Sequence, residues 1–327
     1  MNVVKSTLVV MSALLISLCF SDGIQAQTRE DAITKFNEGF ALFNEEGDFM
    51  AAIDKFKETI VIADEVGAEA SDIRERAVGQ IPRLAFMNAA QQVRERNLQG
   101  AVEAFEETIR LAERYEDEQI LRRARGNLPA LHLNIGNQYF RNERNEEAIE
   151  HYRRAIELNP SYVSAYYQKG LVFRRQNNVD RALENFDVSI DLAREAGDEE
   201  NVERSQRAAR DYLVFLASEQ IEEEFFNRAL DLLNRAAGYG ESASLHYRFA
   251  EVYNNQRRYS DARTSAERAL ELETGGRVDR ARIYFELGLA HKGLDNTQAA
   301  CNAFRNAMVG DFRSPAEHEI EHELNCN

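Results

Sequence analysis

Two stretches of this chain are copies of one another. LHLNIGNQYFRNERNEEAIEHYRRAIELNP (131–160) and AYYQKGLVFRRQNNVDRALENFDVSIDLA (165–193) align without a gap at a spacing of 34 residues. A unit that short cannot bury a core alone and must stack on its neighbours, so the chain is constrained to an array. Apolar residues recur at helical spacing, and there is no sustained alternation of period two. The sequence has only 4 Pro and 17 Gly and is dominated by Ala, Glu, Arg and Leu, which favours helices throughout. The expected fold class is all-α.

The first copy carries Gly136, Tyr139, Ala148, Tyr152, Ala155 and Pro160; the second carries Gly170, Phe173, Ala182 and Phe186, with Ser189 in place of the later Ala. Small residues on two successive helices let them approach closely, and the aromatics fill the gaps between units. In residue types and positions both copies resemble the tetratricopeptide repeat. The same pattern is centred on Gly39/Ala52/Phe56, Ala89/Ala101/Phe105, Ala217/Ala229/Leu233, Ala250/Ala262/Ala266 and Gly288/Ala300/Phe304. The resemblance implies a right-handed α-solenoid of tetratricopeptide-like helix pairs. About seven units would fill residues 27–310, and a C-terminal capping helix would occupy 311–327. Turn signals such as Glu46-Gly47-Asp48 and Asn159-Pro160 separate helices, so the array reads as continuous. Some units are longer: IRERAVGQIP (73–82) recurs as ILRRARGNLP (120–129) at a spacing of 47. Pro82 and Pro129 are expected to kink those extended helices or break each in two. DEENVERSQRAAR is a similar lead-in without proline.

Residues 1–26 read as a secretory signal peptide: Lys5 precedes the apolar run Thr7 to Phe20, and Ala26 supplies a small residue for cleavage. Export to the periplasm or cell exterior is expected. Lipid anchoring through Cys19 is the rival, disfavoured by the bulky Leu18 before it. No later stretch could span a membrane. Cleavage after Ala26 leaves Cys301 and Cys326, and in an oxidising compartment a bridge between them is the natural reading, with two free thiols as the alternative. The formal charge of −16 argues against nucleic acid or an anionic membrane surface as partner. Its positive charge is almost all arginine, which suits salt-bridged helix faces.

His318-Glu319-Ile320-Glu321-His322 matches the HExxH pattern of zinc peptidases. At about 100° per residue, Ala316, Ile320 and Leu324 form one stripe and the two histidines fall near the opposite side. Packing that stripe on the last unit leaves the histidines in solvent, and no third ligand follows. The alternative to a zinc-dependent hydrolase is a charged outer face on the cap, similar to the closing segments of exported tetratricopeptide proteins. His132, His151, His246 and His291 fall at ordinary repeat positions with no triad or metal partner nearby. Neither catalysis nor a cofactor is expected.

The family resemblance implies a concave groove lined by the first helix of each unit. Carried over residue by residue, its positions are Asn137, Arg141, Tyr167, Arg174, Arg175, Tyr247, Glu251, Asn254 and Phe285. Arginine and tyrosine there suit an extended peptide bearing carboxylates. The competing reading is that Tyr167 and Phe285 are packing residues and the arginines pair with neighbouring glutamates. Asn134 and Asn137 lack the lysines that a carboxylate clamp for chaperone tails needs. The chain therefore reads as a non-catalytic protein- or peptide-binding scaffold of the bacterial envelope, with a periplasmic small-molecule or glycan-binding protein as the alternative.

Overall fold

The computed structural model describes residues 26–326. Residues 1–25 of the expected signal peptide, Cys19 included, lie outside the described residues. Every α-helix is one half of a sequential pair, apart from the last. The pairs are α1 (Arg29–Ala41) with α2 (Phe49–Val66), α3 (Ser71–Arg94) with α4 (Leu98–Arg114), α5 (Glu118–Arg141) with α6 (Asn145–Leu158), and α7 (Val163–Arg175) with α8 (Val179–Glu195). They continue as α9 (Glu199–Glu222) with α10 (Phe226–Ala237), α11 (Ala243–Asn255) with α12 (Tyr259–Leu272), and α13 (Arg277–Gly293) with α14 (Thr297–Ala307). No strand occurs among the described residues. This is the expected all-α solenoid of helix pairs. Pro82 and Pro129 lie within α3 and α5, each an unbroken helix of 24 residues, so neither proline divides its helix.

Backbone contacts group the chain into two compact units. The first takes Met1–Asn88 with Arg110–Ile120. Its described core holds Phe36, Ile53, Phe56, Ile73, Ile81 and Leu84. Thr28 starts α1 by accepting from the Asp31 backbone N–H while the Asp31 carboxylate accepts from the Thr28 N–H, which satisfies two donors the helix end would orphan.

The second unit takes Ala89–Ile109 with Leu121–Asn327. Asn178, Asp198 and Ser242 cap α8, α9 and α11 by accepting from the backbone N–H three residues on. The first helix of a pair ends on a left-handed residue: Glu143, Asn177, Glu224, Arg257 and Asp295 have φ between 54° and 61°. The next residue's N–H then reaches back five positions, as from Asn178 to the Phe173 carbonyl at 2.9 Å. This closes the last turn and reverses the chain.

In three of the pairs of the second unit a ring of the second helix sits directly on a glycine of the first. A Cβ placed on Gly136 would stand 2.6 Å from the Tyr152 ring, on Gly170 2.7 Å from Phe186, and on Gly288 2.6 Å from Phe304. All three rings are fully buried. The alanines of the motif are buried too, among them Ala148, Ala182, Ala217, Ala229, Ala250, Ala262 and Ala300. Ser189, where alanine is the norm, is buried with its hydroxyl 2.9 Å from that of Ser205 on α9, so the departure is matched by a partner on the next helix.

After α14 the chain makes a 3₁₀ turn (Gly310–Phe312), the short helix α15 (Arg313–His318) and a π turn (Glu319–Glu323). Ala316 is buried, and Ile320 and Leu324 pack with it on Ala300, Phe304 and Ala307, the expected stripe. Cys301 and Cys326 form a disulfide with Cα atoms 5.9 Å apart. On a chain-entropy account this closure contributes about 3 kcal/mol. His318 and His322 are exposed, and among the described residues no group of three His, Cys, Asp or Glu side chains could hold a metal ion.

If the ring-on-glycine contact sets the spacing of a pair, Gly170→Ala is expected to cost about 1–3 kcal/mol through overpacking. Adding Phe186→Leu should recover part of that loss rather than deepen it. Urea midpoints of the two single variants and the double variant check this; simple additivity would contradict the contact.

Candidate functional site

Three clefts on the first helices of the second unit hold most of the expected groove residues. Between α7 and α9 a cleft of about 450 Å³ is lined by Tyr167, Arg174, Glu200, Arg204, Arg207 and Asp211, among others. A second, of about 530 Å³, shares Arg174 and adds Phe140, Arg175, Tyr212, Phe215 and Glu219. The third, of about 490 Å³, lies between α11 and α13 and is lined by Glu251, Asn254, Asn255, Tyr259, Glu286, Leu289, Lys292 and Gly293.

The α7–α9 clefts exist because α9 is 24 residues long and α7 only 13. The added turns carry Arg204 and Arg207. The Arg204 guanidinium stacks 4.2 Å from the centre of the Tyr167 ring, and its Nε and Nη2 are buried without an acceptor. A guanidinium shielded from water on one edge favours any carboxylate that can reach it. Arg174 stands over Tyr212 and is exposed, and Phe215 is 55% exposed beside it. Arg175 is committed within the fold: it donates to the Phe140 carbonyl at 2.7 Å and to Asn145 Oδ1, and it stacks 3.8 Å from the centre of the Phe140 ring.

The α11–α13 cleft joins two neighbouring first helices. Asn254 Nδ2 donates to the Glu286 carbonyl at 2.9 Å and to Glu286 Oε2 at 2.7 Å. The double contact fixes the amide's orientation and leaves Asn254 Oδ1 buried without a donor. Glu286 is 7% exposed and forms no ion pair among the described residues. Burial pushes its carboxyl up to about 7, against the Asn254 hydrogen bond, which lowers it. Glu251 accepts from Arg248 Nη1 at 2.6 Å.

The remaining expected residues have other roles. Asn137 accepts from the Tyr152 hydroxyl at 2.8 Å. Arg141 is exposed at the end of α5. Tyr247 is 7% exposed, in a core with Ala266 and Ile283, and lies beneath the guanidiniums of Arg248 and Arg282. Phe285 packs on Phe304 and on Phe312 of the C-terminal segment, with both ring centres 5.5 Å away. Sequence reasoning passed over Arg204, Arg207, Phe215 and Glu286. The lead-in before α9 was the available signal for the first two, and nothing marked Glu286.

A titratable pair joins α5 to α6: the Nδ1 of buried His132 lies 3.1 Å from that of half-buried His151. Burial first, and then the facing ring of His151, hold His132 down at about 4. Below its ordinary 6.5 the unfolded chain takes a proton that the folded chain refuses, so this contribution is complete above pH 6.5 and is lost as pH falls toward 4. Glu286 has the opposite sign. Its folded form keeps a proton up to about 7 against an ordinary 4.5, so its contribution is complete below pH 4.5 and is lost as pH rises through 7. Between pH 7 and 5 the two oppose each other. Glu286→Gln is therefore expected to steepen the loss of stability on acidification, and His132→Gln to reduce it, each by about 1–2 kcal/mol. Urea midpoints at the two pH values provide the check.

A family model described as TPR repeat matches residues 136–177, and one described as tetratricopeptide repeat matches 281–308. A 59-residue stretch is 34% identical to a UDP-N-acetylglucosamine–peptide N-acetylglucosaminyltransferase of Giardia intestinalis; it covers 18% of this chain and 4% of that protein. Similar solved structures include MamA of Desulfovibrio magneticus RS-1 (17% identity, 60% of this chain and 98% of that one, TM-score 0.38). YrrB, described as a TPR protein with an unusual peptide-binding site, is 20% identical over 58% of this chain and 91% of its own, with a TM-score of 0.36. A tetratricopeptide repeat protein from Parabacteroides merdae is 15% identical over 91% of this chain and 99% of its own, with a TM-score of 0.30. The described residues form an all-α solenoid of helix pairs, and two stretches of it, 136–177 and 281–308, match tetratricopeptide repeat models.

Proposed function

We propose that this chain is a non-catalytic adaptor of the bacterial envelope, and that its α7–α9 face holds an extended segment of a partner protein carrying a carboxylate beside an aromatic or aliphatic residue. One observation carries the reading: Arg204, stacked on Tyr167 in the cleft wall, has two buried nitrogens, Nε and Nη2, whose N–H groups meet no acceptor. A partner carboxylate would supply that acceptor, and Arg174 and Arg207 line the same cleft. The exposed Phe215 in the adjoining cleft offers rigid apolar area to the neighbouring residue. Glu200, Glu203 and Asp211 at the rim disfavour a uniformly anionic ligand. Export is supported by the basic and apolar pattern of residues 5–26 and by the Cys301–Cys326 bridge, which persists in oxidising compartments.

A displayed library of random ten-residue peptides tests the groove. Wild type should enrich segments with Asp or Glu next to Phe, Tyr or Leu, and Arg204→Gln combined with Arg174→Gln should weaken the selected peptide at least ~10-fold, the scale of a lost charge-assisted contact. Equal binding by the folded variant would remove the assignment. For location, Cys301 and Cys326 are expected to resist alkylation in intact cells until a reductant is added; free thiols on a chain fractionating with the cytoplasm would refute export.

A further inference from the structure

The α11–α13 cleft has the opposite polarity to the α7–α9 face: it offers an acceptor that lacks a donor. Asn254 Oδ1 is buried and unbonded, its amide turned by the two bonds from Nδ2 to Glu286. The Glu286 carboxyl is 7% exposed and lines the cleft; its hydrogen bond from the Asn254 amide goes to Oε2. The nearby cations face other carboxylates. Arg248 pairs with Glu251 at 2.6 Å; Arg282, outside the cleft lining, lies over Tyr247 with Nη2 3.7 Å from Glu273 and Nε buried without an acceptor; and Lys292, which lines the cleft, pairs with Glu319 at 2.7 Å and Glu323 at 3.1 Å in the C-terminal segment. The walls are partly apolar: Leu289 lines the cleft beside Tyr259, whose ring lies against the Gly293 backbone, where a Cβ would come within 2.4 Å.

We propose that this cleft binds an alkyl cation, an ammonium or guanidinium carried on an aliphatic stem, with Glu286 and Asn254 as its acceptors and Tyr259 and Leu289 along the stem. A cavity of about 490 Å³ accommodates one such side chain. A buried carboxyl with no counter-charge stays protonated because ionising it costs desolvation, and an arriving cation offsets that cost. The O–H bond of Glu286 then breaks, its proton leaves to solvent, and the carboxylate takes N–H donors from the ligand. Glu251 at the rim adds attraction, partly cancelled by Arg248. Lys292, neutralised by its two glutamates, does not repel the guest. Binding should therefore tighten by about tenfold between pH 6 and 8, as a carboxyl near 7 gives up its proton. This inference does not depend on the α7–α9 reading.

Ligand-observed NMR on the full mature chain tests it with three probes: Nα-acetyl-lysine methylamide, its neutral counterpart Nα-acetyl-norleucine methylamide, and 1,5-diaminopentane. The lysine probe should bind with a Kd on the order of millimolar, the strength open to one small group. The norleucine probe should not bind. Glu286→Gln, which keeps the size and the hydrogen-bonding capacity of the protonated acid, should fold normally and weaken lysine binding at least tenfold. Arg204→Gln should leave lysine binding unchanged. Tighter binding of the lysine probe than of diaminopentane identifies the guest as a protein side chain; the reverse order identifies a free diffusible amine. Equal binding of norleucine, full binding by the folded Glu286→Gln chain, or no binding of either amine by wild type overturns the proposal.

Discussion

The second unit is organised around the contact between an aromatic ring on the second helix of a pair and a glycine sixteen residues earlier on the first, as in Gly136–Tyr152, Gly170–Phe186 and Gly288–Phe304. Because the ring lies where a Cβ would be, the two backbones approach more closely than any side chain at that position would permit. Close approach and a flat filler fix the spacing within a pair. That spacing in turn decides which residues of the first helix remain available to solvent. Where the second helix carries a smaller residue, the first can afford a methyl: Ala217 goes with Leu233 and Ala250 with Ala266. Ala89 with Phe105 is the combination that departs from this exchange of volume.

This constraint explains why so much of the fold was legible and so much of the site was not. Gly, Ala and aromatic positions recur because each pair solves the same packing problem, so one motif located the pairs, and amphipathic spacing located the stripe Ala316, Ile320 and Leu324 under the C-terminal segment. Groove residues depend on the register between one first helix and the next, which a motif confined to one unit does not encode. Asn137 is taken up by the Tyr152 hydroxyl, Tyr247 by the two guanidiniums above it, and Phe285 by Phe312. Helix length was the second gap: the lead-in to α9 was visible, but not that its added turns bring Arg204 over Tyr167. The prolines mislead for a related reason. An interior proline removes one backbone donor and strains one turn, and packing along a helix of 24 residues can outweigh that local cost.

Charge on this protein divides into two classes that differ in consequence. One class is carboxylates that pair with arginines three or four residues away on the same exposed face, as in Glu150–Arg153–Glu157. Such pairs contribute little individually and are screened by salt; they keep an acidic array soluble. The other class is buried or part-buried: it includes Glu286, the His132–His151 contact and the inner edges of Arg204, Arg263 and Arg282. Removal from water makes an unmet hydrogen bond or charge there costly.

The two sets of clefts on the second unit differ in sign at the atoms that matter. In the α7–α9 cleft the Arg204 Nε and Nη2 lack acceptors; among the residues that line the α11–α13 cleft, Asn254 Oδ1 lacks a donor. If both proposals hold, a uniformly charged polymer gains at one cleft and loses at the other, and the surface would discriminate against polyanions and polycations alike. A polypeptide with a carboxylate in one region and an ammonium or guanidinium in another satisfies both. If both proposals hold, the specificity of the array comes from its few buried, unpartnered polar atoms, helped by unpaired cleft charges such as Arg174.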